Sequence, residues 1–301
     1  MPENSMSFLH SKEIFARELQ QEGKSPNTIN SYQRDLTYLE CWLKQRKQKE
    51  EIFAGEITSL DLRDYENYLK NQSGLAPSTT NRRLAAVKKW TAFLATYLIQ
   101  TLDIGRDIKI KKVQKQNNVK WLERNEVGQL LHAIEQVKVK NGVKGAMHYC
   151  IILIMANAGL RIGEVCKIRI ADVDLEQKIL HVPHGKGDKY RMLPLGDQTI
   201  CSIKNWLSHH PKLTDYLFPS TKSNRITPRG VQHILNNYSQ QIGIQITPHM
   251  LRHTFCKQLA NKGVGLETIA SLSGHQSIET TRIYVTPSVR ELQSAIRAIE
   301  F

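Results

Sequence analysis

The chain has 301 residues, enough for about two domains of ordinary size. Its 42 lysines and arginines outnumber the 28 aspartates and glutamates, which gives a formal net charge of +14, and 40% of its residues are hydrophobic. This composition excludes a disordered chain and indicates a polyanionic partner, with nucleic acid ahead of an anionic membrane surface.

The sequence shows neither a secretion signal nor a membrane span. Residues 1–12 contain no basic start followed by an apolar core, and the longest apolar run, residues 150–156, is far shorter than the ~20 residues that cross a bilayer. The 5 cysteines are widely spaced and form no C-x-x-C pair, which argues against a disulfide framework or a cysteine zinc site. We therefore expect a cytoplasmic protein with reduced thiols and no membrane contact.

The first third of the chain is predicted to be helical. Ser25-Pro26 supplies an N-cap and a first-turn proline, and apolar residues then recur at helical spacing. Thr58 and Asp61 have the spacing of a capping pair for a second helix, and Pro77 begins a third, longer one. We expect residues 1–105 to form a compact bundle of about four helices.

The long helix after Pro77 carries a polar and basic face that we expect to contact DNA phosphates. Its members are Thr79, Thr80, Asn81, Arg82, Arg83, Lys88 and Lys89. Periodicity then fades over residues 106–120, which hold six basic residues and one acid, so we predict an extended basic linker whose Lys111 and Lys112 also contact DNA. A merely solvated polar face is the alternative for the helix.

Residues 121–301 are predicted to mix helices with a few strands. Residues 146–158 are mostly apolar and are expected to form a buried central helix. Residues 178–182 and 190–195 are strand-like, and a glycine-rich hairpin that contains Lys186 joins them. The expected fold class is mainly α with a small antiparallel β-sheet.

Separated segments of this second domain carry side chains suited to phosphate chemistry. Arg161 and Glu164 are three residues apart and share a helix face, although an ordinary structural ion pair has the same spacing. Lys186 lies between glycines, which allow close approach to a ligand.

Two later segments add further groups. His249 and Arg252 lie in the first turn of a helix that Thr247 caps, a position suited to an anion. Gly274-His275 ends a helix, and Tyr284 follows shortly after.

Together these segments resemble the tyrosine recombinase family, also called phage integrases. The strings AGLRIGEV, HMLRHTF and SGHQSIETTRIYV are similar to the signature boxes of the family, and APSTTNRRLAAVKKW resembles part of its core-binding domain. The resemblance covers the catalytic half and extends into the helical third. It implies a SAM-like core-binding domain and a mixed α/β catalytic domain, arranged as a C-shaped clamp around DNA in the simpler, Xer-like form.

The resemblance implies a metal-independent and cofactor-independent enzyme that cleaves and rejoins DNA through a 3′-phosphotyrosyl intermediate and a Holliday junction. Tyr284 would attack the scissile phosphate, because a covalent phosphotyrosine preserves the energy of the broken bond. His249 would help to remove the phenolic proton, and Lys186 would protonate the leaving 5′-oxygen.

The remaining family positions imply electrostatic roles. Arg161 and Arg252 would hold the non-bridging oxygens through their planar guanidinium groups. His275 would donate another hydrogen bond to the phosphate, and Glu164 would orient Arg161 without touching DNA.

The resemblance also implies double-stranded DNA with an inverted-repeat core site. Candidate base readers lie on the helix after Thr227-Pro228, at Arg229, Gln232, His233 and Asn236. A C-terminal helix over residues 288–301 would insert into a neighbour and build a homotetramer, a dimer on each site; docking on its own domain is the alternative. We expect a nucleoid-associated protein of a bacterium, and the choice between integration, excision and resolution of a mobile element, plasmid or chromosome dimer stays open, as does any accessory protein.

Other functions remain open at this point. A DNA-binding module without catalysis would share the charge and the helices. A metal-dependent nuclease would use Asp172 and Asp174, whose spacing on a strand suits Mg²⁺. A type IB topoisomerase would share the cleavage chemistry and lack strand exchange.

Overall fold

The computed structural model describes residues 6–97, 102–110, 119–182, 190–220, 223–275 and 277–284, together with residues 293, 296 and 297. The chain divides into two compact units, Met1–Gln116 and Asn117–Phe301. Among the described residues, no helix is both long enough and apolar enough to cross a bilayer.

The first unit is a bundle of helices. They are α1 (Phe8–Gln21), α2 (Pro26–Lys47), α3 (Ser59–Asn71) and α4 (Pro77–Thr96). The predicted caps form, because Ser25 accepts a hydrogen bond from the first turn of α2, and Thr58 makes a capping box with Asp61 at the start of α3. Apolar side chains from the helices meet in a core that includes the fully buried Trp90.

The segment after α4 packs on this first unit. Ile108 is buried in the helical core, and Nζ of Lys88 donates to the carbonyls of Arg106 and Ile108 at 2.8 and 3.2 Å. Part of the stretch predicted as an extended linker from residue 106 is therefore attached to the bundle. Lys111 and Lys112 lie outside the described residues.

The second unit mixes helices with one small sheet. Its elements are α5 (Arg124–Lys140), α6 (Gly142–Ala158), α7 (Ile162–Val165), β1 (Val173–Asp174), β2 (Ile179–Val182), β3 (Arg191–Pro194), α8 (Asp197–His209), α9 (Pro228–Ile242), α10 (Pro248–Asn261), α11 (Leu266–Ser273) and α12 (Glu279–Arg282). The apolar helix α6 lies at the centre and packs against α5, α8 and α10. The expected fold class is confirmed.

The sheet is antiparallel in the order β1-β2-β3. Leu180 pairs with Leu193, and both are buried, whereas Met192 on the opposite face is exposed. Val182 pairs with Arg191 at the base of the hairpin. The predicted strands are thus present, and the hairpin residues 183–189, with Lys186, lie outside the described part of the chain.

The end of α6 depends on glycine. Gly159 has φ +61°, a left-handed conformation that penalises any residue with a Cβ. A Cβ at this position would lie 2.2 Å from Cδ1 of Phe255 on α10. The turn therefore brings α6 against α10 and starts the segment that carries Arg161.

Replacing Gly159 with alanine is expected to destabilise the second unit more than the same change at Gly243. Gly243 also has a positive φ, +70°, but open space around its Cα, so it carries only the backbone penalty of about 1 kcal/mol. The clash of Gly159→Ala with Phe255 should add about 1–3 kcal/mol. Urea unfolding of both variants measures the difference, and equal losses would contradict the packing argument.

Candidate active site

The Arg161 guanidinium is fixed from two directions. Arg161 precedes α7, and its Nη1 donates to Oε1 of Glu164 at 3.0 Å while its backbone amide donates to Oε2 at 2.7 Å. Its Nη2 donates to the carbonyl of Gly274 at 2.6 Å. The Arg161–Glu164 pair predicted from the spacing is thus present, and a contact 113 residues away in sequence ties it to the end of α11.

Arg252 lies deeper, at 4% exposure. Its Nη1 donates to the carbonyl of Gly159 at 2.6 Å, and its Nη2 donates to the carbonyl of Ser273. Burial, and then the nearby charge of Arg161, lowers the pKa of Arg252 to about 10, so it remains a cation at neutral pH. The C-terminal ends of α6 and α11, where the helix dipoles are negative, therefore hold both guanidinium groups.

Tyr284 is only 1% exposed. Its hydroxyl shares a hydrogen bond with Nδ1 of His253, and its ring lies nearly parallel to that of His275, with 6.2 Å between ring centroids. Burial raises the pKa of Tyr284 well above its ordinary value, although the charge of Arg252 opposes the shift. The hydroxyl is therefore protonated at neutral pH.

Two histidines beside Tyr284 are neutral at pH 7. Burial, followed by the positive charges around them, lowers the pKa of both His253 and His275 to about 4. His275 also shares a hydrogen bond with Oγ1 of Thr281 at 2.9 Å. A neutral imidazole can accept a proton or donate a hydrogen bond, which are the capabilities needed beside a phenol and a phosphate.

The structure brings together most of the predicted catalytic groups and adds others. The groups that converge are Arg161, Glu164, Arg252, His275 and Tyr284. His249 is exposed, with its ring centroid 6.2 Å from that of His253, and Lys186 is not among the described residues.

Sequence reasoning did not single out His253 or Arg191. The i, i+4 spacing of His253 from His249 on α10 was a usable signal, because it places both rings on one helix face. Arg191 carried no local signal of a site role. It reaches Glu164 only through the fold, with hydrogen bonds at 2.9 and 3.1 Å.

Much of the predicted DNA-binding face of α4 is already used inside the first unit. Thr80 is buried and Arg83 stacks on the ring of Tyr38 at 3.4 Å, so neither lies on the exposed face on which the prediction placed it. The ring gives the half-buried Arg83 a cation–π contact, and Oδ1 of Asp35 lies 3.9 Å from its Nε, so this charge has partners inside the first unit.

The other side chains of the predicted DNA-binding face of α4 have different hydrogen-bond and ion-pair partners. Arg82 pairs with Asp35, Lys88 donates to main-chain carbonyls, and Lys89 pairs with Glu22 at 2.6 Å. Thr79 and Asn81 are half-buried. These residues remain predicted DNA contacts, and the charged ones would have to exchange an internal partner for a phosphate.

Helix α9 presents the predicted base readers on a polar face. Arg229 and His233 are exposed, and Nε2 of Gln232 donates to Oδ1 of Asn236 at 2.9 Å. The opposite face of α9, which includes Val231, is buried in the core. The helix therefore offers a row of donors and acceptors to a partner.

The acids considered for a nuclease shape the backbone instead. Oδ2 of Asp172 accepts from the amide of Arg169 at 2.7 Å, and Oδ1 of Asp174 accepts from the amides of Glu176 and Gln177 at 3.0 and 2.8 Å. Over the described residues, no group of three histidine, cysteine or acidic side chains is placed to hold a metal ion.

Comparison with known proteins gives this geometry a family. Residues 120–291 match the phage integrase family, and residues 13–96 match the N-terminal SAM-like domain of phage integrases. The chain belongs to the phage integrase family. It is 31% identical to tyrosine recombinase XerA of Pyrococcus furiosus over 289 residues, which cover 94% of this chain and 92% of that protein.

Solved structures show the same fold. A crystal structure of XerH recombinase bound to a palindromic difH substrate after cleavage matches with a TM-score of 0.71 and 22% identity, covering 93% of this chain and 83% of that one. A lambda integrase dimer bound to a core site matches with a TM-score of 0.71 and 14% identity, over 95% and 98% of the two chains.

The predicted family is therefore confirmed, and with it the enzyme class. Tyrosine recombinases are DNA strand-transferring enzymes, and site-specific recombination is the function that fits this chain. A topoisomerase without strand exchange and a DNA-binding module without catalysis are not favoured.

The low pKa of His253 predicts a measurable pH dependence of folding. Between pH 6.5 and about 4 the unfolded chain holds a proton on this residue that the folded chain lacks, so the free energy of unfolding falls as the pH falls. In His253→Gln this slope should be shallower by at most about 1.4 kcal/mol per pH unit.

Urea unfolding of the wild type and the variant from pH 4 to 7 measures the slope. His132→Gln is the matched control, because it removes an exposed imidazole on α5 and leaves the surroundings of His253 intact, so it should retain the wild-type slope. Identical slopes in His253→Gln and the wild type would contradict the assignment.

Proposed function

We propose that this recombinase cleaves DNA by attack of Tyr284 on a phosphate held by Arg161 and Arg252. The observation that supports it is the convergence of two guanidinium groups, held by helix carbonyls, with a tyrosine and neutral histidines. Attack releases a 5′-hydroxyl and leaves a 3′-phosphotyrosine, and the reverse reaction joins the new partner strand through a Holliday junction.

The arginines supply the electrostatic part of the reaction. A pentacoordinate phosphate carries more negative charge on its non-bridging oxygens than the ground state does, and planar guanidinium groups match that geometry. Since both cations are already fixed by hydrogen bonds to the protein, little reorganisation is needed when the charge develops. His275 adds a hydrogen bond to the same oxygens.

The nucleophile has to leave its present position to react. Tyr284 is almost fully buried and its hydroxyl is held by His253, so a DNA phosphate cannot reach it without a local shift of the chain. We propose that His253 holds the phenol while DNA is absent, and that the exposed His249 assists proton removal once DNA is bound. Lys186 is proposed as the acid for the leaving 5′-oxygen.

The proposed substrate is double-stranded DNA with an inverted-repeat core site, read in part by α9 through Arg229, Gln232 and His233. Two chains would occupy each site, and two sites would meet in a homotetramer through the C-terminal helix at 288–301. Ile296 of its predicted apolar stripe is 58% exposed in the single chain, which leaves it available to a neighbour. Such a substrate places the enzyme in the cytoplasm, on the nucleoid.

A DNA duplex selected by binding to this protein from a random-sequence pool, then nicked at successive positions, is expected to trap a covalent complex. The nick lets the short fragment diffuse away, so the strand stays attached to Tyr284. The complex should form in EDTA and disappear in Tyr284→Phe, as measured by denaturing gels. Absence of the complex with the wild-type protein at every nick position would refute the proposed chemistry.

Arg161→Ala should reduce the single-turnover cleavage rate at saturating DNA about 10²- to 10³-fold, while affinity changes far less. The matched variant is Arg229→Ala on α9, which should weaken binding and leave the saturating rate near that of the wild type. Similar effects of the two variants on rate would argue against separate roles in catalysis and recognition.

Deleting the residues after 287 should impair tetramer assembly and recombination of the selected duplex, and leave DNA binding largely intact. The full-length variant Ile296→Glu is the matched point change, because a charge on an apolar stripe opposes burial against a neighbour. Analytical ultracentrifugation on DNA measures the assembly. Normal recombination by the truncated chain would exclude the exchanged helix.

A further inference from the structure

The Glu164 carboxylate is shared by two arginines. Oε1 accepts from Nη1 of Arg161 at 3.0 Å and from Nη1 of Arg191 at 3.1 Å. Oε2 accepts from the Arg161 amide at 2.7 Å and from Nη2 of Arg191 at 2.9 Å. Arg191 therefore grips the carboxylate with both ends of its guanidinium, in a setting where the Glu164 side chain is 6% exposed and that of Arg191 12%.

Arg191 also touches the other support of Arg161. Its guanidinium lies so close to Gly274 that a Cβ at that residue would be 2.8 Å from Nη1 of Arg191. The carbonyl of Gly274 accepts from Nη2 of Arg161. Because Arg191 belongs to β3 and pairs with Val182, it also stands at the base of the hairpin that contains Lys186.

We propose that Arg191 is a positioning residue for the recombination reaction, fixing the Glu164 carboxylate and, through it, the Arg161 guanidinium that receives the scissile phosphate. The inference rests on the proposed function, in which Arg161 contacts that phosphate. Arg191 itself touches Glu164 and Gly274, and acts on the substrate through them.

The net charge of Arg161, Glu164 and Arg191 affects how strongly the site attracts a phosphate. Two guanidinium groups around one carboxylate leave a net positive charge, so Glu164 can orient Arg161 without cancelling it. Without Arg191, Glu164 would face Arg161 alone, and that pair would be neutral overall. A neutral pair attracts a phosphate less strongly than a cationic cluster does.

The protonation of Glu164 depends on the same contacts. Burial acts to raise the pKa of Glu164, but the hydrogen bonds and charge of Arg191, together with those of Arg161, hold it below its ordinary value. Arg252 on α10 is a further charged group that interacts with this carboxylate. Removal of Arg191 should therefore raise the pKa of Glu164 and make cleavage sensitive to acid at a higher pH.

Single-turnover formation of the covalent complex, with the nicked selected duplex at saturation, tests the proposal from pH 5 to 8. Arg191→Met should lower the rate by about 10- to 100-fold, by analogy with the loss of residues that orient the ligands of a metal site. The acid limb of its rate profile should move to higher pH. Arg191→Lys retains the positive charge but cannot hold the carboxylate with two parallel hydrogen bonds. Its rate should therefore lie between those of Arg191→Met and the wild type, and its pH profile should be close to that of the wild type.

A double-mutant cycle separates positioning from general stability. In a Glu164→Gln background, Arg191→Met should reduce the single-turnover rate less than about threefold, because the carboxylate through which Arg191 acts is absent. Met192→Gln is the matched control on the exposed face of the same strand, and its rate should equal that of the wild type. Circular dichroism verifies folding, and if Arg191→Met does not fold, Arg191→Lys takes its place in the cycle with an expected loss of about 3- to 10-fold.

Two results would overturn the inference. One is a wild-type rate and pH profile in the folded Arg191 variants. The other is a double variant whose loss of rate equals the product of the losses in the Arg191 variant and in Glu164→Gln. A wild-type protein that forms no covalent complex would instead refute the proposed function. The two failures are therefore distinguishable.

Discussion

The site depends on the hydrogen bonds that the buried Arg252 guanidinium donates to helix carbonyls. A cation at 4% exposure is costly unless its N–H groups are satisfied, and here the carbonyls of Gly159 and Ser273 accept them. These carbonyls lie at the ends of α6 and α11, where the helix dipoles add negative potential. Arg161 donates to the adjacent carbonyl of Gly274, so the packing of two helix ends fixes both guanidinium groups at once.

The same burial determines the protonation states of Tyr284, the proposed nucleophile, and of the histidines beside it. Burial keeps His253 and His275 neutral and Tyr284 protonated. In these states the three side chains can share hydrogen bonds, but the phenol is a poor nucleophile toward a phosphate. In the proposed function Tyr284 is the nucleophile, so cleavage would require a DNA contact that releases its phenol, and this would couple the chemistry to correct assembly.

Local signals predicted much of this structure, and the parts they missed depend on pairs that are distant in sequence. Ser25, Thr58 and the apolar run of α6 act through neighbours within a turn or two, so their helices were predictable. The role of Arg191 depends on the register of β3 and the direction of Glu164 across 27 residues, which no single-chain pattern encodes.

The sequence also could not show where individual side chains point, and their contacts depend on that direction. His253 adjoins Arg252 in sequence, yet only the packing of Tyr284 against α10 shows which histidine touches the phenol. On α4, the basic string containing Arg83 suggested a uniformly exposed face, because a charged residue is normally solvated. The ring of Tyr38 provides Arg83 with a different partner inside the bundle.

The net charge of +14 consequently overstates the surface ready to bind DNA. Lys89 is held by an exposed ion pair with Glu22, which exchanges for a phosphate at little cost because such pairs contribute about 0–1 kcal/mol. Lys88 donates to two carbonyls that would lose their partner, so its transfer to DNA is less favourable. Exposed cations such as Arg229 can bind without this exchange. Affinity and its salt dependence should then depend on the exposed cations. In the proposed function Arg161 and Arg252, which the protein already holds, would act mainly on the transition state.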